Sequence, residues 1–326
     1  VIIAHNEGPR LGLRIDNLFA SDYPPDLVQV LVVFDGPSDD ASEESKLLRS
    51  DRVTYLELPA RQGKASGLNA AIGAVNTPII VFTDARQNFS PDTIRRLAAH
   101  FVDPRVGAVS GALEIEGSNS CRGRGVDAYW RIEKSLRNAE SRFDSSIGCT
   151  GAVYAVRRAL LRPLPSDTLL DDVVIPMRIA VQGYRVIHDP AALAFDPQPL
   201  EPAIERRRKR RTLAGNFQML FRYPEWLMPW NNRLWWQLIS HKYLRLAAPV
   251  LLVAAFATNI ALLESPGFRA ALIGQCAIYL FALFGWIMPR APLRLFSLAS
   301  GFVFLNAMTV AGFWHYLTDR GSHRWN

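Results

Sequence analysis

The run Ile79-Ile80-Val81-Phe82-Thr83-Asp84-Ala85-Arg86 decides how the chain is read. Four apolar residues, mostly β-branched, are followed by a polar break and a carboxylate. Two earlier runs have the same form: Val1-Ile2-Ile3-Ala4 before His5-Asn6-Glu7, and Val30-Leu31-Val32-Val33-Phe34 before Asp35-Gly36-Pro37-Ser38. A strand covered on both faces reads as such a continuous apolar run, so these are expected to be buried strands of a mainly parallel sheet. Helical segments are expected between them at 9–20, 39–50, 64–75 and 91–102. The last is opened by Ser90 as N-cap and Pro91 at the first helical position. Further strands are expected at 106–113 and 184–195, and a helix at 125–143. Alternating strand and helix predict an α/β nucleotide-binding domain, with ligands beyond the carboxyl ends of the strands. Asp35 and Asp84 both fall at such ends.

Outward from this domain the composition changes. Residues 246–263, 270–289 and 295–318 carry no charged side chain. At 18, 20 and 24 residues, each is long enough to cross a hydrocarbon core as a helix, which takes roughly 20 residues. Trp235, Trp236, Trp286, Trp314 and Tyr316 flank these stretches. Segment 225–243 reads as amphipathic and interfacial. Arg233, His241, Lys242 and Arg245 precede the first stretch, which predicts a catalytic domain on the cytoplasmic face. The expected organisation is a catalytic domain over 1–224, the interfacial segment 225–243, three transmembrane helices within 244–318 and a tail over 319–326. The 326 residues carry 37 cations against 30 anions, a net +7, and six of those cations stand together in Arg206-Arg207-Arg208-Lys209-Arg210-Arg211. Cys121, Cys149 and Cys276 are far apart, which argues against a disulfide framework or a zinc site. Val1 stands where a Met would, so the sequence is expected to be a piece of a longer chain.

Several residues carry candidate chemistry. Asp84 can hold Mg²⁺ or Mn²⁺ together with phosphate oxygens, or satisfy turn amides. Asp35 can accept from a nucleotide base, or close an Asx-turn. Lys64, after Gly63 at a helix start, suits phosphate or base. Asp171-Asp172, ahead of an apolar helix, can serve as general base and neighbour, or complement the helix dipole. The arginine run is a solvated face, a nucleic-acid patch, or a clamp for diphosphate and anionic headgroups. Its position before the first apolar stretch favours the clamp, and its lack of interleaved aromatic residues counts against nucleic acid.

Taken in order, these segments resemble glycosyltransferase family 2, in particular its cellulose-synthase-like and poly-N-acetylglucosamine-synthase-like membrane enzymes. Ala4-His5-Asn6-Glu7 resembles the family's opening Tyr-Asn-Glu signature around the nucleotide base. Phe34-Asp35-Gly36 resembles the segment whose aspartate contacts uracil, and Arg61 through Asn69, with Lys64, its nucleotide loop. Thr83-Asp84-Ala85-Arg86 occupies the place of the Asp-x-Asp metal motif. Leu170-Asp171-Asp172 resembles Thr-Glu-Asp, and Arg208-x-x-Arg211-Thr212 falls where the family has Gln-x-x-Arg-Trp.

The resemblance implies an A-type glycosyltransferase fold and an inverting, single-displacement transfer from a nucleotide-sugar, a UDP-sugar, to a glycan or lipid acceptor. It implies Asp172 as base with Asp171 beside it and Asp84 at a Mg²⁺ or Mn²⁺ ion. Donor contacts fall on His5, Glu7, Asp35, Lys64, Asn69, Arg86, Arg208 and Arg211. Membrane lipids are expected as partners, nucleic acid is not, and the expected location is a bacterial plasma membrane. Three positions depart from the pattern: His5 for Tyr, Arg86 for the second metal-motif carboxylate, and Thr212 for Trp. An Arg about 4 Å from a cation repels it by about 4 kcal/mol at an effective dielectric of 20, so Arg86 is expected to turn to phosphate. Two rival classes are a nucleotidyltransferase, which wants a Gly-rich loop after the first strand, and a non-catalytic membrane scaffold or nucleotide receptor of polysaccharide export.

Overall fold

A computed structural model of the protein describes residues 1–36, 50–115, 124–197, 202–288 and 294–318. Most of the helix expected at 39–50 lies outside these residues. In chain order the elements of the first part are β1 (Ile2–Ala4), α1 (Gly8–Phe19), β2 (Val30–Asp35), β3 (Val53–Leu58), α2 (Lys64–Ala74), β4 (Ile79–Thr83), β5 (Asn88–Phe89), α3 (Thr93–Ala99), β6 (Val106–Ile115), α4 (Arg124–Phe143), β7 (Val153–Arg157), α5 (Asp171–Val181), β8 (Arg185–Asp196) and α6 (Pro202–Arg222). Eight strands form one sheet in the order β3-β2-β1-β4-β7-β6-β8-β5.

The pairings β1·β2, β1·β4, β2·β3 and β6·β8 are parallel. The pairings β4·β7, β6·β7 and β5·β8 are antiparallel. The parallel half expected from the apolar runs is therefore joined to a second half through β7, which makes the sheet mixed. This reversal sets what shares an edge. Thr83 at the end of β4 is opposite Val153 at the start of β7, and Ile115 at the end of β6 is opposite Asp196 at the end of β8. The ends of β1, β2, β4 and β8 and the loop entering β7 thus open onto one side, with the strand order reversing at β1 and β4.

Period-two alternation divides the strands between two cores. Ile2, Ala4, Val32 and Phe34 face α1 and α3, meeting Leu11, Ile15 and Leu97. Ile3, Leu31 and Val33 face the other way, with Leu68 of α2, Val174 and Met177 of α5 and Phe217 of α6. This second core runs on through Trp226, Leu234, Leu238 and Leu246, so it ends where the apolar helices begin. Each fully buried side chain of this kind contributes about 1.5–3 kcal/mol. The edge strand β3 is only half-buried, with Leu56 and Leu58 packed against one core and Val53 and Tyr55 against the other.

Segment 225–243 is a series of short turns. A 3₁₀ turn at Pro224–Leu227 is followed by a helical turn at Trp235–Gln237, then by a π-helical stretch at Leu238–Tyr243. That stretch runs directly into α7 (Leu244–Ala261), and α8 (Pro266–Ile287) and α9 (Arg294–Thr318) follow. Three segments are long and apolar enough to cross a membrane by length and composition: Trp235–Ala261, Pro266–Ile287 and Leu295–Thr318. Their surfaces expose Val250, Val253, Ile273 and Ile287 to more than 60%, as a hydrocarbon environment favours.

The second half of α9 packs on protein. Phe217 meets Phe313 with ring centroids 5.0 Å apart, Phe221 stacks on Tyr316 at 5.6 Å, and Lys209 Nζ lies 5.6 Å from the Phe304 ring centroid. Gly312 permits this approach, because a Cβ there would stand 2.5 Å from Leu213 Cβ. Overpacking of that kind costs about 1–3 kcal/mol. Gly312→Val is therefore expected to lower the unfolding midpoint of the detergent-purified protein by about 2–6 °C. An unchanged midpoint would show that α9 does not dock on α6 in this register.

Candidate active site

Three carboxylates converge at the common sheet edge, and the side chain that unites them is Lys64, the first residue of α2. Its Nζ donates to Asp84 Oδ1 at 3.2 Å and lies 3.5 Å from Asp171 Oδ2. Burial opposes the charge on Lys64, but Asp171, Asp84 and Asp172 outweigh it and hold the amine above the ordinary lysine range. Asp84 is placed by β4, and Asp171 and Asp172 by the first turn of α5.

Asp172, the next residue of α5, lines a small cavity of about 90 Å³. Burial first, and the charge of Asp171 second, raise its pKa to about 6, against the opposing pull of Lys64, Arg137 and Lys242. The loop entering β7 wraps it closely. Cys149 N–H donates to the Asp172 carbonyl at 2.8 Å, and a Cβ on Gly151 would stand 3.2 Å from Asp172 Oδ2.

The β2 end of the edge is organised by Asp35, which is fully buried. Its Oδ1 accepts from Gln62 N–H at 2.6 Å and its Oδ2 from Gly63 N–H at 2.8 Å. Asp35 thus holds the loop that presents Lys64, with both oxygens engaged by backbone. His5 donates Nδ1–H to the Asp35 carbonyl at 2.8 Å, because a carbonyl can only accept. Glu7 pairs with Arg10 at 3.3 Å at the start of α1.

Asn69 is elsewhere. Its Nδ2 donates to the Leu164 carbonyl and its Oδ1 accepts from Leu164 N–H, each at 2.8 Å, which clamps α2 to the segment before α5. A side chain so engaged on both ends ties the two segments together.

Across from Asp84, Arg86 pairs with the buried Asp196 at the end of β8, where Gln87 donates to the same oxygen at 3.2 Å. Arg208 of α6 senses Arg86, Asp84 and Asp196; desolvation and the Arg86 cation lower its pKa. Arg211 Nε is buried with no hydrogen-bond partner among the described residues. Two mutually repelling guanidiniums beside Asp84 suit a doubly charged anion. Among the described residues no group of three or more His, Cys, Asp or Glu could hold a metal. A cation here would take Asp84 as its one carboxylate and complete its shell with phosphate oxygens and water, which is how Mg²⁺ commonly binds at phosphate sites. The donor set fits on those terms.

The sequence does not mark Asp196, Arg137 or Asn216, and marks His241 and Lys242 only as part of the basic flank before the first apolar stretch. Asp196 carried a usable signal, since Ala194-Phe195-Asp196 repeats the apolar-run-then-aspartate form of Asp35 and Asp84. The other four come from helices, where one residue in a polar face is indistinguishable from its neighbours.

The family model described as Glycosyl transferase family 2 matches residues 1–164. An N-acetylglucosaminyltransferase of Rhizobium meliloti (strain 1021) is 27% identical over 242 residues, 68% of this chain and 56% of that protein. The poly-beta-1,6-N-acetyl-D-glucosamine synthase of Staphylococcus aureus (strain COL) is 20% identical over 228 residues, 68% of this chain and 55% of that protein. The chain thus spans about half the length of the curated relatives it matches. Among solved structures, mannosyltransferase PcManGT from Pyrobaculum calidifontis in complex with GDP-Man and Mn²⁺ superposes with a TM-score of 0.69 at 26% identity, over 98% of this chain and 86% of that one.

The two charge-assisted bonds from Gln62 and Gly63 are each worth about 1.5–3 kcal/mol. Asp35→Ala is expected to release the 61–63 loop, so that trypsin cleaves after Arg61 or Lys64 at least about tenfold faster while circular dichroism is retained. Cleavage at the wild-type rate would mean that Asp35 does not hold this loop.

Proposed function

The chain belongs to glycosyl transferase family 2, and from that premise we propose that it is a membrane-bound, inverting transferase moving a sugar from a nucleotide-sugar donor to a glycan or lipid-linked acceptor. The observation that carries this reading is the arrangement around Lys64: Asp84 and Asp171 on one ammonium, with Asp172 beside them lining a small cavity. One carboxylate serves the donor and another the acceptor, with a fixed cation between them.

In this reading the nucleotide base lies near His5 and Asp35, and the diphosphate lies between Asp84 and the guanidiniums of Arg86 and Arg208. Mg²⁺ or Mn²⁺ at Asp84 supplies charge neutralisation for the departing diphosphate. Asp172 accepts the proton of the acceptor hydroxyl as its oxygen bonds to the anomeric carbon. The bond from that carbon to the diphosphate oxygen breaks, and the electron pair leaves with the nucleoside diphosphate. Attack from the face opposite the leaving group inverts the carbon. Asp171, paired with Lys64, keeps α5 and hence Asp172 in position. The apolar helices anchor the chain, and the basic flank Arg233, His241, Lys242 and Arg245 favours a cytoplasmic catalytic domain.

A positioned general base contributes about 10²–10⁴-fold. Asp172→Asn is expected to cut transfer by that factor while donor affinity, measured by calorimetry, stays near wild type; Asp171→Asn loses less. A base must be deprotonated to act, and the Asp172 pKa is raised to about 6. The wild-type rate is therefore expected to fall about tenfold per pH unit below about pH 6. An active Asp172→Asn enzyme with the wild-type acid limb would remove Asp172 from this role.

A further inference from the structure

One of the largest fully buried side chains among the described residues is a cation, Arg14, 1% exposed in the middle of α1. The groups it touches there are neutral. Its Nη1 donates to Asn17 Oδ1, one turn along the same helix, and its Nη2 donates to Thr83 Oγ1 at 2.7 Å, at the end of β4. The guanidinium carbon stands 4.1 Å from the centroid of the Phe89 ring, and Nε has no hydrogen-bond partner among the described residues. Burial lowers the pKa of Arg14, and the charge of Asp84 opposes the fall. A charge taken out of water without a carboxylate against it is a costly way to fill a core, where Leu or Met would pack without that cost.

These neutral partners bracket one short loop. Residues 84–87 leave β4 after Thr83 and enter β5 at Asn88, and they carry Asp84 and Arg86. Arg14 holds the leaving end through Thr83. Asn17 holds the entering end, because its Oδ1 accepts from Phe89 N–H at 2.8 Å and its Nδ2 donates to the Phe89 carbonyl at 3.1 Å. Since Arg14 also bonds Asn17, one guanidinium spans both ends. Asp196 pins the loop from the other side through Arg86 and Gln87. Asp84 and Ala85 are left between the two supports.

Arg14 also sets the direction of the Thr83 hydroxyl. A guanidinium can only donate, so Thr83 Oγ1 accepts from it and must send its own proton elsewhere. That proton goes to the Asp84 carbonyl, 3.3 Å away. Arg14, Thr83 and the Asp84 backbone thus form a directed chain, which depends on the planar fork of the guanidinium.

We propose that Arg14, with Asn17, is a positioning residue that fixes the loop 84–87 so that the Asp84 carboxylate meets a divalent cation and a diphosphate without rearrangement. The proposal rests on the reading above that puts Mg²⁺ or Mn²⁺ at Asp84, and it names what holds that ligand in place. With Arg86 where the family pattern has a second carboxylate, slack in Asp84 has no neighbouring ligand to take it up. Arg14 would act on such a cation in two ways of opposite sign. As a positive charge it weakens metal binding, and as a brace it strengthens it.

The test measures Mn²⁺ binding to the full chain in detergent with UDP or GDP present, from the loss of the electron paramagnetic resonance signal of free Mn²⁺. Arg14→Lys keeps the charge, but a single ammonium does not span Asn17 and Thr83. Its Kd for Mn²⁺ is expected to rise at least about tenfold, the usual effect of removing the outer support of a metal ligand. Thr83→Val, nearly isosteric, is expected to match it, and Thr83→Ser to keep wild-type binding. Arg14→Lys and Thr83→Val combined are expected to lose no more than either alone, since they break one chain. Thr83→Val leaves the buried cation in place, so the test stands even where Arg14→Lys does not fold. Unchanged Mn²⁺ affinity in folded Thr83→Val, whatever its unfolding midpoint, would make Arg14 a core tie and overturn the proposal. Tighter Mn²⁺ binding in Arg14→Met with no loss in Arg14→Lys, the mark of charge alone, would also overturn it. A wild-type protein that takes up no Mn²⁺ with either nucleotide would instead overturn the metal reading at Asp84, and the positioning role with it.

Discussion

Asp84, Asp171 and Asp172 come from two elements far apart in sequence, and folding brings all three to one sheet edge. Two carboxylates about 4 Å apart repel by about 4 kcal/mol at an effective dielectric of 20, so an edge of this kind needs a cation within it. Lys64 is that cation, at 3.2 Å from one partner and 3.5 Å from another. Much of the surrounding structure serves its placement. Asp35 fixes the loop before it through two backbone amides, Asn69 ties its helix to the segment leading into α5, and Gly151 leaves room for Asp172.

The same economy governs the junction with the apolar helices. A buried ion pair is weak evidence for stability, since desolvation offsets much of the attraction, but breaking one partner of such a pair is costly. His241 between Glu133 and Glu140 therefore fixes geometry: it registers the start of the first apolar helix against α4, and through Arg137, which donates to Thr150 at 3.1 Å, against the loop that wraps Asp172. Asp172, the proposed base, is thus linked on one side to Asp84 through Asp171 and Lys64 and on the other to the start of the first apolar helix.

The strands that continuous apolar runs announce, β1, β2 and β4, were legible because burial on both faces leaves a one-sided composition. The aspartates after them were legible for the same reason. Strand β7 was not, although it sits mid-sheet, because Val153-Tyr154-Ala155-Val156 is short and follows a glycine-containing loop that gives no strand boundary. Its antiparallel insertion is a tertiary fact, and it brings Asp196 and Gly151 to the edge. Asn69 shows the opposite limit. Its position in the loop-helix motif was clear, but its partner is 95 residues away. Composition also gave three apolar helices alike, whereas packing separates them: α9 lies along the basic helix α6 from Phe304 to Tyr316.

The central proposal is that a single base, Asp172, drives direct displacement at the anomeric carbon. The stereochemistry of the product tests it most directly. Proton NMR of the first transferred sugar, taken before any mutarotation, is predicted to show the anomeric configuration opposite to that of the donor. Retention of the donor configuration would contradict the account.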